Sequence, residues 1–168
     1  FGIRGYRYVG TGYERGKTLF RIERRSGDLV CPCCQSRAVI KRGRFVRRFR
    51  CVPIGRKPVV IELPIQRVAC VDCGAVRQTG IGFADERRSY TKKFERFVIE
   101  LSRHMTMRDV ARHLGVGWDL VKDIQKRNLE RRFRHVRLKD LRLIAIDEIS
   151  IGRGHRYLTI VLDLSTGA

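Results

Sequence analysis

The chain has 168 residues, room for one ordinary domain or two or three small ones. It carries 37 Lys+Arg against 17 Asp+Glu, a net charge of +20, which excludes a neutral surface and points to a polyanionic partner. A hydrophobic fraction of 43% argues against a disordered basic tail. No apolar run approaches the roughly 20 residues that span a bilayer, and no signal-peptide pattern is visible. The chain opens on Phe1 and closes on Ala168, just after Ser165-Thr166-Gly167, so we expect a piece of a longer protein.

The charge is uneven along the chain. Residues 1–84 carry a net +13, residues 85–140 a net +7, and residues 141–168 are neutral. The polyanion should therefore meet the first two thirds. Residues 1–28 carry no assignable motif.

Residues 29–84 contain two CxxC pairs, Cys31/Cys34 and Cys70/Cys73. Each tight turn points two thiolates at one ion, and four thiolates close a tetrahedral zinc site. The spacing leaves two alternatives open: reduced thiols without metal, and Cys33 in place of Cys34 as ligand. Disulfides fit a basic cytosolic chain poorly. Cys51 reads as a small core residue. The insert between the pairs is long and alternating, as in Val59-Val60-Ile61-Glu62-Leu63, and suits a β-hairpin. Within it, Arg44, Arg47, Arg48 and Arg50 alternate with Phe45 and Phe49, a mixture suited to phosphate contact and base stacking.

From Ser89 the apolar period changes to 3.6. Phe94, Phe97, Val98, Leu101 and Met105 fall on one helical face. A short second helix follows, capped by Thr106, with Asp109 near its positive end and Gly115 as the left-handed stop. Trp118 to about Arg132 forms a third helix, with Trp118, Val121, Ile124 and Leu129 directed inward. Residues 85–133 thus read as a three-helix, helix–turn–helix domain. The alternative is a plain bundle with a solvated charged face. Arg108, Arg112, Lys122, Lys126, Arg127 and Arg131 are the candidate DNA contacts, with Asp119 also outward. His104, His113 and His135 read as surface or phosphate-facing groups. Residues 134–140 form a basic linker.

In residues 141–168, Leu143 to Ile146 is apolar on both faces and should be a central strand. Tyr157 to Asp163 is a second strand, antiparallel to it. Asp147 ends the apolar stretch, where an ionised carboxylate needs compensation by a divalent metal, a cap or an arginine.

The Cys-Pro-x-Cys…Cys-x-x-Cys-Gly finger, the Met105–Val116 string and the run from Ile146 to Asp163 resemble, together, the bacterial ISL-three family of insertion-sequence transposases. The resemblance runs from about Cys31 to Ala168. It implies an α+β multidomain chain: a zinc-ribbon-like β domain, a three-helix helix–turn–helix domain, and the first β-hairpin of a ribonuclease-H-like catalytic domain with a DDE triad. It further implies that Asp147 is the first triad carboxylate and a Mg²⁺ ligand, that Glu148 and Asp163 are not triad members, and that the remaining Asp and Glu lie beyond Ala168. Implied partners are double-stranded DNA at terminal inverted repeats and further copies of the protein, in a bacterial cytoplasmic, nucleoid-associated setting. The chain should bind DNA and cleave nothing. A zinc-ribbon and helix–turn–helix transcriptional regulator, or a zinc-stabilised RNA-binding module, are the competing readings.

Overall fold

The structure is a computed structural model describing residues 3–25, 27, 29–134, 139 and 141–165. His135 and most of the 134–140 linker lie outside the described residues. Two compact units are present, residues 1–127 and 128–168.

The first unit contains a five-stranded sheet. β1 (Tyr6–Glu14) and β2 (Lys17–Arg24) form an antiparallel hairpin, so the segment without a motif supplies two strands. β3 (Val39–Ile54) and β4 (Lys57–Cys70) form the long hairpin expected between the cysteine pairs. β4 is central. β3 lines one edge, while β2, in parallel, and the short β5 (Val76–Gln78) share the other.

The alternation along β4 explains its placement. Val59, Ile61, Leu63 and Ile65 are buried on one face, beside Phe49 of β3 and Ile22 of β2. Phe83 covers this face, meeting Phe49 and Tyr6 edge-on at 5.3 and 5.2 Å between centroids. Cys51 packs half-buried against the same cluster. The register slips where Arg42 and Gly43 oppose Arg67. Gly43 takes φ +92°, and Gln66 Nε2 donates to its carbonyl at 2.7 Å. Past this bulge the burial phase shifts to Val68 and Cys70, which turns the end of the strand toward the cysteine cluster.

Three helices complete the first unit: α1 (Lys92–Leu101), α2 (Met107–Leu114) and α3 (Trp118–Arg132), the last of which continues past the unit boundary. Thr91 caps α1, accepting from the Phe94 N–H at 3.1 Å. Thr106 caps α2 as expected: its hydroxyl accepts from the Asp109 N–H at 3.2 Å and donates to the Asp109 carboxylate at 2.7 Å. Gly115 ends α2 at φ 60°, ψ 46°, and the Val116 N–H donates to the Ala111 carbonyl. The shared core is Tyr90, Phe94, Val98, Val110, Ala111, Leu114, Val121 and Ile124, with Phe97, Leu101, Met105 and Leu120 against it. Thr106→Ala should lower stability by about 1 kcal/mol in urea denaturation, because the Asp109 N–H loses its acceptor; an unchanged midpoint would assign the start of α2 to packing alone.

Two expectations for α3 are corrected. Trp118 and Leu129 are not inward: they are exposed by 44% and 50%. Leu120, together with Val121 and Ile124, makes the apolar stripe, which leaves Trp118 and Leu129 on its flank.

In the second unit, β6 (Ile144–Ser150) and β7 (Tyr157–Asp163) form an antiparallel hairpin, as expected. The expected central strand is not observed. Among the described residues β6 pairs only with β7, and Ile144, Ile146 and Ile149 are exposed. Within this unit no further layer packs on the hairpin among the described residues.

Candidate metal centre and nucleic-acid interface

The two knuckles fold alike. The Gln35 N–H donates to the Cys31 carbonyl and the Gly74 N–H to the Cys70 carbonyl, at 3.0 and 3.1 Å. The Cys31 and Cys70 N–H groups donate to Ser36 and Ala75 in turn. Gln35 and Gly74 occupy matching positions at φ 62° and 68°. This conformation is cheap for glycine and costs Gln35 about 1–2 kcal/mol, a strain the surrounding contacts must overcome.

The result gathers Cys31, Cys34, Cys70 and Cys73, whose sulfurs all lie within 4.8 Å of one another. Cys31 Sγ is 3.6 Å from Cys73 Sγ, and Cys34 Sγ is 3.4 Å from Cys70 Sγ. A regular tetrahedron with Zn–S near 2.3 Å has S···S edges of about 3.8 Å. The donor set and spacing therefore fit zinc. Cys33 is exposed and outside the cluster, and its backbone N–H faces Cys31 Sγ at 3.4 Å. That geometry selects Cys34 over Cys33.

The electrostatics favour a cation. Backbone N–H groups of Cys34 and Cys33 pull the Cys31 thiol down to about 6, against the desolvation of burial. Cys34 is pushed up to about 12: the Ser36 N–H favours its thiolate, but the Cys70 and Cys73 sulfurs and burial outweigh it. Cys73 is also raised, because burial, Cys31 and Cys70 outweigh the Ala75 N–H and Cys34. One thiolate forms readily, and further ones repel it unless a divalent ion binds.

The candidate DNA contacts divide into two groups. Arg44, Arg108, Arg112, Lys122, Lys126 and Arg131 are exposed. Arg112 pairs with Asp109 at 3.3 Å, and Lys122 Nζ lies 5.1 Å from the centre of the Trp118 ring. Asp119 is exposed beside them, as are His104 and His113. The remaining arginines are engaged within the fold. Arg47 lies over Phe49 at 4.8 Å and donates to the Arg88 carbonyl at 2.7 Å. Arg48 bridges Glu62 and Glu14 at 2.9 and 3.1 Å, which raises its pKa further. Arg50 donates to the Leu114 carbonyl at the end of α2. Its Nε is buried without a hydrogen-bond partner among the described residues, and burial lowers its pKa.

Arg127 turns inward rather than outward. It donates to the Tyr90 hydroxyl, sits 5.7 Å over that ring and faces Glu95 at 4.0 Å. Burial raises the Tyr90 pKa despite this guanidinium. The spacing carried the signal, since Arg127 falls seven residues after Leu120 and three after Ile124, on the inward stripe. Thr91 was legible too, as a Thr three residues before the first apolar position of α1.

Asp147 is exposed on β6 opposite Ile160, and its carboxylate accepts from the Glu148 N–H at 2.8 Å. Strand alternation puts Glu148 and Asp163, which pairs with Ile144, on the other face of the hairpin.

Comparison with known proteins identifies two regions of the first unit. Residues 29–73 match the zinc-finger of transposase IS204/IS1001/IS1096/IS1165, and residues 81–127 match the helix-turn-helix domain of transposase family ISL3. The chain is 29% identical over 164 residues to the transposase for insertion sequence element IS1001 of Bordetella parapertussis, covering 93% of this chain and 40% of that protein. It is 31% identical over 159 residues to the transposase for insertion sequence element IS1557 of Mycobacterium tuberculosis, covering 92% of this chain and 35% of that protein. The chain thus spans well under half the length of these relatives. No solved structure matches it. Residues 29–73 and 81–127 therefore carry the zinc-finger and helix–turn–helix domains of ISL3-family transposases.

Proposed function

We propose that this chain is the DNA-recognition region of a transposase and binds double-stranded DNA at the terminal inverted repeats of an insertion sequence. The observation that carries this reading is the exposed side of α3, where Lys122, Lys126 and Arg131 follow the turn at Gly115. In a helix–turn–helix the second helix of the motif enters the major groove and cations flank it on the phosphates. A net charge of +20 supplies sequence-independent attraction. Zinc on Cys31, Cys34, Cys70 and Cys73 would be structural, fixing the two knuckles. Domain limits at residues 29–84, 85–133 and 141–168 suit this division of labour.

Catalysis belongs to the whole transposase. There Asp147 would be the first carboxylate of a DDE triad in a ribonuclease-H-like domain, holding Mg²⁺ for cleavage and strand transfer. Glu148 and Asp163, on the opposite hairpin face, support the view that neither shares an ion with it. Two transposon ends must be held together, so the active complex would be a homo-oligomer. No described helix is long and apolar enough to cross a membrane. The bacterial nucleoid is the proposed place of action.

Binding measured by fluorescence anisotropy against a salt series tests the reading. The protein should prefer duplex carrying the inverted repeat over scrambled duplex and over single-stranded RNA at equal salt. Lys126→Ala or Arg108→Ala should each lower the slope of log K against log salt by about 0.9. Preference for RNA would favour the RNA-binding reading, and slopes unmoved by both variants would remove these residues from the interface.

A further inference from the structure

We propose that Trp118, carrying Lys122 on its ring, is a base-reading contact that places the indole against a thymine C5-methyl group in the major groove. The inference rests on the DNA-recognition reading and adds a specificity determinant to it.

Trp118 is the single tryptophan of the chain and the first residue of α3. A tryptophan has the most to gain from burial of any side chain in this chain, yet 44% of it remains in solvent. The helical core closes without it through Leu120, Val121 and Ile124. Its position is therefore not explained by the fold. Exposed, rigid aromatic groups of this kind are typical anchors of interfaces.

The neighbours narrow the partner. Asp119 and Asp123 are exposed on the same first turns, and a carboxylate against a phosphate is repelled. The start of α3 thus suits base edges rather than the sugar–phosphate chain, whereas the cations Lys126 and Arg131 come later. Start-of-helix residues are those that reach bases in this motif. Among base-edge groups in the major groove, the thymine methyl is the apolar one that an indole can cover. Lys122 Nζ, 5.1 Å from the ring centre, occupies one face of the indole and brings a cation within reach of an adjacent purine N7 or phosphate. That arrangement disfavours a base stacked on both faces, as in single-strand binding.

The single tryptophan makes the test direct. The protein first selects its preferred duplex from a random-core pool. Thymines in that duplex are then replaced one at a time by deoxyuridine, which removes only the methyl. One replacement should weaken the wild-type complex roughly fourfold and leave the Trp118→Ala complex unchanged. Trp118→Ala should weaken the selected duplex by about tenfold or more, with little loss on unrelated duplex, and Trp118→Phe should recover much of it. Tryptophan emission should change on binding the selected duplex. Urea melts of both variants should match wild type, because the side chain lies outside the core. Equal affinity of wild type and Trp118→Ala, equal deoxyuridine losses in both, or unchanged emission at saturation would overturn the inference while leaving DNA recognition intact. Failure of the wild type to select any duplex would overturn both.

Discussion

Replacing Cys34 with alanine should abolish tight zinc binding and unfold the knuckle end of the sheet, while Cys33→Ser should retain one zinc per chain and a native fold. The two residues are adjacent in sequence, so composition and local charge are nearly equal in the two variants. They differ in whether the sulfur lies in the four-sulfur cluster. Structural zinc sites contribute apparent binding free energies of about 10–16 kcal/mol, comparable to the whole stability of a small domain. Against this, few buried apolar groups hold residues 29–38 and 71–75: Cys31, Val68 and Cys70 dominate that end of the sheet. The two hydrophobic clusters, around Phe49 and around Phe94, include no residue of either knuckle. Chelation should therefore give partial unfolding, with hydrogen exchange rising at the knuckles and helical circular dichroism largely kept. The pH dependence has a fixed sign. Cys34 and Cys73 are raised without metal, so binding at neutral pH expels their protons, and affinity should fall as pH falls. A fold indifferent to chelator, or Cys34→Ala retaining stoichiometric zinc, would sink the metal site.

The sequence made some parts of this architecture legible because their physics is local. Thr106 and Gly115 bracket α2 by capping chemistry that involves a few neighbouring residues. The CxxC pairs set their own turns, and the apolar alternation of Val59 to Ile65 announced a strand with one covered face. What escaped depended on distant partners. Residues 6–24 form a hairpin whose second strand, β2, pairs with β4 in parallel and at long range, which no local pattern encodes. Cys33 and Cys34 are equivalent by composition, and only the closed loop from Ser36 back to Cys31 separates them. The hydrophobicity of Trp118 suggests an inward side chain, although its position flanks the stripe set by Leu120, Val121 and Ile124. The apolar run at Leu143 to Ile146 has the composition of a central strand, but an apolar strand is buried only where something covers it, and β6 has one neighbour among the described residues. Arginine is the most ambiguous residue in this sequence. Its charge suggested DNA everywhere, and the same charge serves ion pairs and carbonyl caps inside the fold.

That ambiguity yields the second large effect. Arg50→Ala and Arg127→Ala should each cost about 2 kcal/mol of stability and leave the salt slope of DNA binding nearly unchanged. Arg127 keeps only 23% of its side chain exposed, with the Tyr90 hydroxyl and the Glu95 carboxylate as partners, and Glu95 is itself 6% exposed. Its removal takes a cation away from a buried carboxylate. Arg50 spans from β3 to the last carbonyl of α2, and the same stretch of β3 exchanges backbone hydrogen bonds with Ser89 and Thr91 at the start of α1. Losing it should loosen the helices from the sheet. Arg48, held by Glu62 and Glu14 at 53% exposure, should behave in between, because solvent screens exposed pairs. Urea denaturation and a salt series on one set of proteins distinguish the roles. A phosphate contact lowers the slope and spares the midpoint; an internal brace does the reverse. If Arg127→Ala flattened the slope with an unchanged midpoint, the inward guanidinium would have to swing out to DNA, and the link between α3 and Tyr90 would be a resting position rather than a support.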